Sequence, residues 1–260
     1  MSEPMLRIAE NFWNIRGSYR VGGVIDVGTQ ASLVRRNNGK FVFLDAYTLS
    51  SSVRRAVNEL TEGGEELEAI FNLHPFHTLH VQKMHEMFPG ADLYGTARHL
   101  ERFPELPWKK TRTEDPAFHK RFADDFEFSV PRGVDFISRN EKVHFSSVMA
   151  FHRDTRTLHV DDTLVYLRLP SLMRFFGLGD AVSFHPTLAQ ALERRADAAE
   201  DFRDWAEEMI ERWRHAENLC AAHTAVLQVS ETDKDSIHAR MLKALDKVEK
   251  TLAAHQQKFG

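Results

Sequence analysis

Short apolar runs separated by turn residues dominate the first fifty positions of the chain. Apolar positions cluster at 21–27, 31–35 and 40–45, and Asn37-Asn38-Gly39 lies between the last two runs. An Asn-Gly pair between two apolar runs is a strong signal for a β-hairpin. The chain is therefore predicted to open as antiparallel β structure.

A strand, helix and strand order follows this opening. The serines at 50–52 are typical of a helix start, the helical pattern runs to Leu60, and Gly63-Gly64 ends it. Residues 67–73 form a short apolar run typical of a strand, and a short helix at 81–88 and a strand at 91–94 come later. Residues 74–80 are thus predicted to form a loop at the C-terminal end of a strand.

The rest of the chain reads as one continuous layered domain. Residues 101–132 are rich in Pro, Phe and charge and are predicted to form a long irregular excursion. Strand character resumes at 134–167, followed by helix mostly at 186–215, an apolar run at 219–229 and an amphipathic helix at about 233–258. No repeat or linker divides these elements, so we predict a single α/β or α+β domain spanning residues 1–260.

Composition narrows the class of protein. The 260 residues are 42% apolar and include 19 Phe, which is enough for a sizeable core. A balance of 34 Lys+Arg against 38 Asp+Glu argues against nucleic acid as a partner. The single cysteine, Cys220, excludes a disulfide framework and is predicted to be a buried thiol. No apolar stretch is long enough for a membrane span and the N-terminus is charged, so we expect a cytoplasmic protein without a membrane partner.

Histidine is abundant and unevenly spread. The chain has 14 His, and three of them fall within the seven residues His74-Pro75-Phe76-His77-Thr78-Leu79-His80. A single histidine on a loop is more often solvated than a ligand, but three imidazoles on one turn can converge on one point. Three neutral nitrogen ligands with an open fourth position make a catalytic site for Zn or Fe. The segment is therefore a candidate metal centre.

The same segment resembles the signature of the metallo-β-lactamase superfamily, a His-x-His-x-Asp-His loop after a strand. His77 and His80 have the spacing of the second and last histidines of that motif. Further landmarks of the superfamily occur in order over about residues 20–230. These are Asp45 after an apolar run, His144 in Lys142-Val143-His144, Asp162 in a stretch similar to Gly-Asp-x-Leu, and His223 after an apolar run. The ordered set identifies the chain as an atypical branch with a degenerate motif.

The resemblance implies a fold and a ligand set. The fold is a four-layer αββα sandwich with the ligands on loops at one edge of two sheets. The cofactor is one or two divalent ions, Zn or Fe. His77 and His144, with His74 as a substitute ligand, correspond to one ion, His80 and His223 to the other, and Asp162 to the bridge between them. A single ion that draws on both sets is the open alternative.

Two motif positions depart from the pattern. The first histidine of the motif falls on Pro75 and its aspartate falls on Leu79, and neither side chain can bind a metal. In the superfamily that aspartate binds the second metal and helps to orient the attacking water. Its loss removes a proton acceptor, and general-base assistance contributes about 10²- to 10⁴-fold to the rate. Asp161, which replaces the motif glycine, is predicted to lie beside the ligands or at the solvent, with contact to the metal as the alternative.

The remaining histidines and the aromatic excursion receive simpler interpretations. His185 is predicted to lie at the substrate edge, His85 and His99 on the surface, and His152 and His159 within hydrogen-bonded structure. The aromatic residues of 101–132 are predicted to pack that excursion onto the body of the protein. The alternative is that they roof the site and bind an apolar part of the substrate.

Three functions remain open at this point. The leading hypothesis is a metal-dependent hydrolase that activates water on Zn or Fe, with Asp162 in catalysis. Its substrate would be a small ester, thioester, lactone or phosphoester. The first alternative is a catalytically degenerate metal-binding or sensing module, which Pro75 and Leu79 favour. The second is a non-haem di-iron oxidoreductase. It is disfavoured because the candidate ligands include few carboxylates and the sequence has no flavin-binding segment.

Overall fold

A computed structural model of the chain describes residues 5–18, 20–21, 25–26, 28–167, 180–222, 225–229 and 235–260. The chain divides into two compact units, one of Met1–Phe128 with His152–Thr155 and one of Ser129–Phe151 with Arg156–Gly260. A single domain over residues 1–260 stays a prediction. None of the described helices combines the length and the apolar character needed to cross a membrane.

The first unit is built on a six-stranded sheet. Its chain contains β1 (Met5–Ala9), β2 (Phe12–Gly17), β3 (Arg20–Val21), β4 (Ile25–Asp26), β5 (Thr29–Arg35), β6 (Phe41–Leu44), β7 (Leu67–Phe71) and β8 (Asp92–Tyr94). The sheet order is β1-β2-β5-β6-β7-β8, antiparallel as far as β6 and parallel from β6 to β8, while β3 pairs with β4. The hairpin predicted at Asn37-Asn38-Gly39 is confirmed, since it joins β5 to β6 and Gly39 has a φ of 85°.

Four α-helices, a 3-10 turn at Glu62–Gly64 and one further strand complete the described first part of the chain. The α-helices and the strand are α1 (Ser51–Leu60), α2 (Val81–Met87), α3 (Ala97–Arg102), α4 (Pro116–Arg121) and β9 (Phe126–Ser129), the last of which spans the boundary between the units. Ser50 caps α1 as predicted, because its side chain accepts a hydrogen bond from the Val53 N–H.

The irregular excursion predicted for residues 101–132 is confirmed for residues 103–115 but is wrong for its two ends. The end of α3, the whole of α4 and the strand β9 fall within it. Pro116 stands at the start of α4, where proline begins a helix rather than breaks one. Phe118 and Phe122 then lie on one face of the helix and pack against Phe71, at ring-centroid distances of 4.8 and 4.5 Å. The prediction that these phenylalanines pack the segment onto the body is confirmed.

The second unit combines a sheet, a hairpin and helices. Its elements are β10 (Met149–His152), whose last residue belongs to the first unit, β11 (Thr157–Val160), β12 (Leu164–Leu167), β13 (Ala181–Phe184), α5 (Leu188–Ala191), α6 (Ala198–Arg212), β14 (Asn218–Ala221), β15 (Val226–Gln228) and α7 (Ile237–Phe259). The sheet runs β15-β14-β11-β10, with β11 parallel to β14, and β12 pairs with β13. Phe202, Trp205 and Met209 of α6 recur at intervals of three and four residues, which is typical of a core-facing helix, and all three are buried in the core.

Gly133 is a position where the backbone of the second unit requires glycine. Its φ is 70°, and a Cβ atom added there would lie 2.0 Å from the carbonyl oxygen of Ala198, the first residue of α6. Gly63 has a similar φ of 75°, but a Cβ atom there would meet nothing within 4 Å. Alanine substitutions at the two positions therefore distinguish the cost of backbone strain, which both would have, from the cost of steric overlap, which only position 133 would have.

We expect Gly133→Ala to destabilise the protein by more than about 3 kcal/mol, because the clash adds to the roughly 1–2 kcal/mol cost of a left-handed alanine. Gly63→Ala should lose only the roughly 1–2 kcal/mol of a left-handed alanine, because it causes no clash. Urea unfolding measures the loss of stability in each variant. Equal losses would contradict the steric overlap expected between a side chain at position 133 and the Ala198 carbonyl.

His152 is a buried imidazole of the first unit. Its ring packs 5.9 Å from Phe12 and 5.2 Å from Phe126, and its Nδ1 lies 2.8 Å from Thr155 Oγ1. The prediction that it belongs to hydrogen-bonded structure is confirmed. Burial lowers the pKa of His152 to about 4, although Asp154 and Asp125 favour the charged form.

This pKa predicts a loss of stability in acid. The unfolded chain, with a histidine pKa near 6.5, takes up the proton before the folded protein does, so stability falls as the pH drops from about 6.5 toward 4. His152→Asn should remove about 3 kcal/mol of this loss when urea unfolding is compared at pH 7 and pH 4. His215→Asn, which replaces an exposed imidazole, is the control. An unchanged pH dependence in His152→Asn would contradict the assignment.

Candidate metal centre

Three parallel strands of the first unit end side by side. Asp45 follows β6 directly, residues 72–80 follow β7, and residues 95–96 follow β8. Because parallel strands place their C-terminal ends at one edge of a sheet, these three connections meet at that edge. The loop of residues 74–80, called the histidine loop below, therefore lies where the sequence predicted it.

Asp45 fixes the start of this loop. Its buried carboxylate accepts a hydrogen bond from the Leu73 N–H at 2.8 Å, and its own N–H donates to the Phe71 carbonyl at 2.8 Å. Its φ of 62° is left-handed, a conformation that aspartate tolerates better than most residues. The residue thus ties the end of β6 to the end of β7 and to the chain that enters the loop.

His74 and His77 form a stacked pair. Their ring centroids are 3.9 Å apart with an interplanar angle of 23°, and one ring nitrogen of each lies within 4.8 Å of the other. The Phe76 N–H donates to His74 Nδ1 at 3.1 Å. In a neutral imidazole the proton must then sit on Nε2, and a protonated nitrogen cannot bind a metal. This hydrogen bond favours His77 as the ligand and His74 as the neighbour that supports it.

His80 points to a different set of neighbours. Its Nδ1 lies 2.9 Å from Thr48 Oγ1, and its ring meets the edge of Tyr47 at 4.8 Å. When Nδ1 donates to this hydroxyl, Nε2 keeps the lone pair that a metal ligand needs. Tyr47 in turn covers Gly17, where a Cβ atom would lie 2.2 Å from the tyrosine ring. In the described part of this unit, His80 is not grouped with the His74–His77 pair at ligand distance.

Leu79, at the position of the missing aspartate, is solvent-exposed. Its relative exposure is 71%, the highest among the large hydrophobic residues that the structure describes. It lines an open depression of about 590 Å³ together with Thr48, His80, Gln82, Lys83 and Glu86. The leucine therefore fills no part of the core.

The second unit presents buried carboxylates directly after β11. Asp161 and Asp162 are 2% and 3% exposed, so the solvent position considered for Asp161 is wrong. A carboxylate oxygen of Asp161 and a ring nitrogen of the buried His159 lie within 4.8 Å of each other. The sequence reasoning missed this pairing, although the i, i+2 spacing places both side chains on one face of an extended chain.

The remaining predicted site residues of the second unit are less buried. His144 is half-buried, and its Nε2 donates to the Glu141 carbonyl, which leaves Nδ1 as its only possible ligand atom. His185 is also half-buried, with Nδ1 2.7 Å from Thr187 Oγ1. His223 lies outside the described residues. The ligand roles of His144 and His223 and the substrate-edge role of His185 stay predictions.

His99 is buried rather than on the surface, so that prediction is wrong. Its Nδ1 accepts the Thr96 N–H at 3.2 Å and lies 2.9 Å from Thr96 Oγ1. Together they form a capping box at the start of α3. Burial lowers the pKa of His99 to about 4, so the ring is neutral near pH 7. Glutamate or glutamine usually fills this role, which is why histidine gave no signal in the sequence.

The donor sets of the two units each fit a divalent metal. Imidazole nitrogen and carboxylate oxygen are ligands that Zn and Fe accept. The first unit offers His77 and His80 on one loop, and Thr48 Oγ1 lies within hydrogen-bond distance of His80 Nδ1. The second offers two adjacent buried carboxylates, whose mutual repulsion a cation would offset.

The chain is similar in structure to known proteins, although comparison of its sequence found no match. No protein-family model matches the chain, and no curated protein matches it in sequence. DIM-1 metallo-β-lactamase exposed to ceftazidime matches with a TM-score of 0.61 and 12% identity, covering 96% of this chain and 99% of that one. A metallo-β-lactamase from Erythrobacter litoralis gives 0.59 and 12%, covering 94% and 96%. FIM-1 from Pseudomonas aeruginosa, in its mono-zinc form, gives 0.58 and 9%, covering 95% and 96%.

These similarities span nearly the full length of both chains, while their low identities limit what they establish to architecture. The mixed sheets and helices of the two units are consistent with that architecture. The fold class predicted from the sequence, the αββα sandwich, is confirmed: the chain has the fold of the metallo-β-lactamase superfamily.

Proposed function

We propose that the protein is a metal-dependent hydrolase that acts on a small-molecule ester, thioester, lactone or phosphoester. The observation that carries this proposal is the stacked His74–His77 pair on a loop at the C-terminal edge of three parallel strands. The metallo-β-lactamase fold supports the proposal, since loops at that edge are where this chain resembles the metal-binding motif of the superfamily.

We propose His77, His80, His144, Asp162 and His223 as the ligands. His74 would be a substitute ligand once its bond to the Phe76 N–H is released. One or two Zn or Fe ions would supply Lewis acidity and lower the pKa of a water molecule toward neutrality.

Neighbouring groups of this chain would prepare those ligands. Thr48 holds the ring of His80 through Nδ1, and the Phe76 N–H holds His74 beside His77. Hydrogen-bonding partners of this kind fix the ring orientation and the tautomer of metal-binding histidines. Asp162 is buried, so a negative charge there is shielded little by water and would attract a cation strongly. We propose Asp161 as a second acidic group beside the ligands and His185 as part of the substrate edge.

Metal analysis of protein purified without added metal tests the proposal. We expect the wild type to carry about one equivalent of a transition metal and His77→Ala to lose most of it, because His77 is the member of the stacked pair whose ligand nitrogen is not committed by the Phe76 N–H. His215→Ala removes an exposed imidazole and should leave the content unchanged. Wild-type protein with less than about a tenth of an equivalent would refute the proposal.

Hydrolysis of a panel of esters, thioesters, lactones and phosphoesters completes this test. Turnover in the wild type that is lost in His77→Ala and kept in His215→Ala supports the hydrolase. One to two equivalents of Fe with visible absorption, and no hydrolysis, would instead favour the oxidoreductase.

A second candidate function rests on Leu79. The exposed leucine stands where the superfamily motif has a metal-binding and water-orienting carboxylate. A chain that keeps histidine ligands without this carboxylate could bind a metal and catalyse nothing. We therefore retain a metal-binding or sensing module of the same fold as the alternative.

Leu79→Asp separates the two candidates. An exposed substitution should change the unfolding free energy by no more than about 0.5 kcal/mol, so the variant can be compared directly with the wild type. If the protein is a hydrolase limited by the missing proton acceptor, we expect its turnover to rise by about tenfold or more. Leu79→Asn, which matches the shape without the charge, should not raise it. Absence of turnover in all three proteins would favour the binding module.

A further inference from the structure

The segment after β8 reaches the histidine loop from the side. β7 and β8 are parallel neighbours, so residues 95–99 and the histidine loop leave the same edge of the sheet. Arg98, on the first turn of α3, places its guanidinium carbon 4.4 Å from the centroid of the Phe76 ring. This distance is well inside the range of a cation–π interaction.

Phe76 occupies the centre of the turn that forms the stacked pair. Its N–H donates to His74 Nδ1 at 3.1 Å, and the His77 N–H donates to the His74 carbonyl at 3.1 Å. Its ring also lies 6.1 Å from the ring of His74. Movement of Phe76 would break the bond to His74 and shift the chain that leads into His77. A contact that fixes the side chain of Phe76 therefore also stabilises the geometry of the His74–His77 pair.

The first turn of α3, which carries Arg98, is held in place by several hydrogen bonds. Thr96 and His99 cap it reciprocally, and the Ala97 N–H donates to Glu114 Oε1 at 3.0 Å. A short helix has little stability of its own, so these bonds are what define the direction in which Arg98 leaves the backbone. These bonds therefore fix the point from which the Arg98 side chain reaches the ring of Phe76.

We propose that Arg98 is a positioning residue that acts through Phe76 to hold His77 in the geometry required for metal binding. This inference rests on the proposed function, because it assumes that His77 is a ligand. Arg98 itself need touch neither metal nor substrate. Its guanidinium attracts the face of the Phe76 ring, and the ring holds the turn on which both histidines stand.

The test uses Co²⁺ added to metal-free protein, followed by visible absorption and titration. We expect Arg98→Met, which keeps an unbranched stem but not the charge, to bind Co²⁺ about 3- to 30-fold more weakly and to alter the absorption bands that report ligand geometry. Arg98→Lys keeps the cation and should recover part of the affinity. Arg121→Met removes an exposed arginine that lies 5.7 Å from the ring of Phe122, and it should leave both readouts unchanged.

A double-mutant cycle with Phe76→Leu shows whether Arg98 acts through the ring. If it does, Arg98→Met should cost little more affinity in the Phe76→Leu background, so the two effects will not add. Additive effects, or an Arg98→Met protein with wild-type affinity and spectrum, would overturn the inference. Should Arg98→Met fail to fold, the spectrum and affinity of Phe76→Leu decide it, since an unchanged Co²⁺ site there overturns the inference as well. A wild type that binds no Co²⁺ would instead refute the proposed function.

Discussion

The hydrogen bond from the Leu73 N–H to the Asp45 carboxylate is the interaction on which the histidine loop depends. It joins the ends of two parallel strands and sets the point from which residues 74–80 depart. The left-handed backbone at Asp45 costs free energy, so it persists only because its surroundings fix it. The stacked pair and the separate setting of His80 both follow from where this loop begins.

The strands and most helices were predictable because their signals are local. The Asn-Gly hairpin, the Ser50 cap and the 3–4 spacing around Trp205 each act over a few residues. The segment around Pro116 was not predictable in the same way, since its structure comes from aromatic residues that pack against Phe71, far away in sequence. Tertiary packing, which no short window contains, gave that segment its order.

The sequence indicated which loop carries the candidate site, but not the hydrogen bonds and burial of its side chains. The spacing of the histidines and the strand before them indicated which loop to examine. The sequence could not show which nitrogen of His74 is committed, because that depends on a backbone N–H two residues further on. Nor could it show that His99 is buried or that Asp161 faces His159, since burial is decided by neighbours from other strands and helices.

Gly17 has a meaning that extends beyond its own strand. The ring of Tyr47 occupies the space where a side chain at position 17 would stand, and the same ring meets the edge of His80. Any larger residue at position 17 would displace the tyrosine and, through it, the histidine. The setting of a histidine more than fifty residues later in the chain therefore depends on the absence of a side chain at the end of β2.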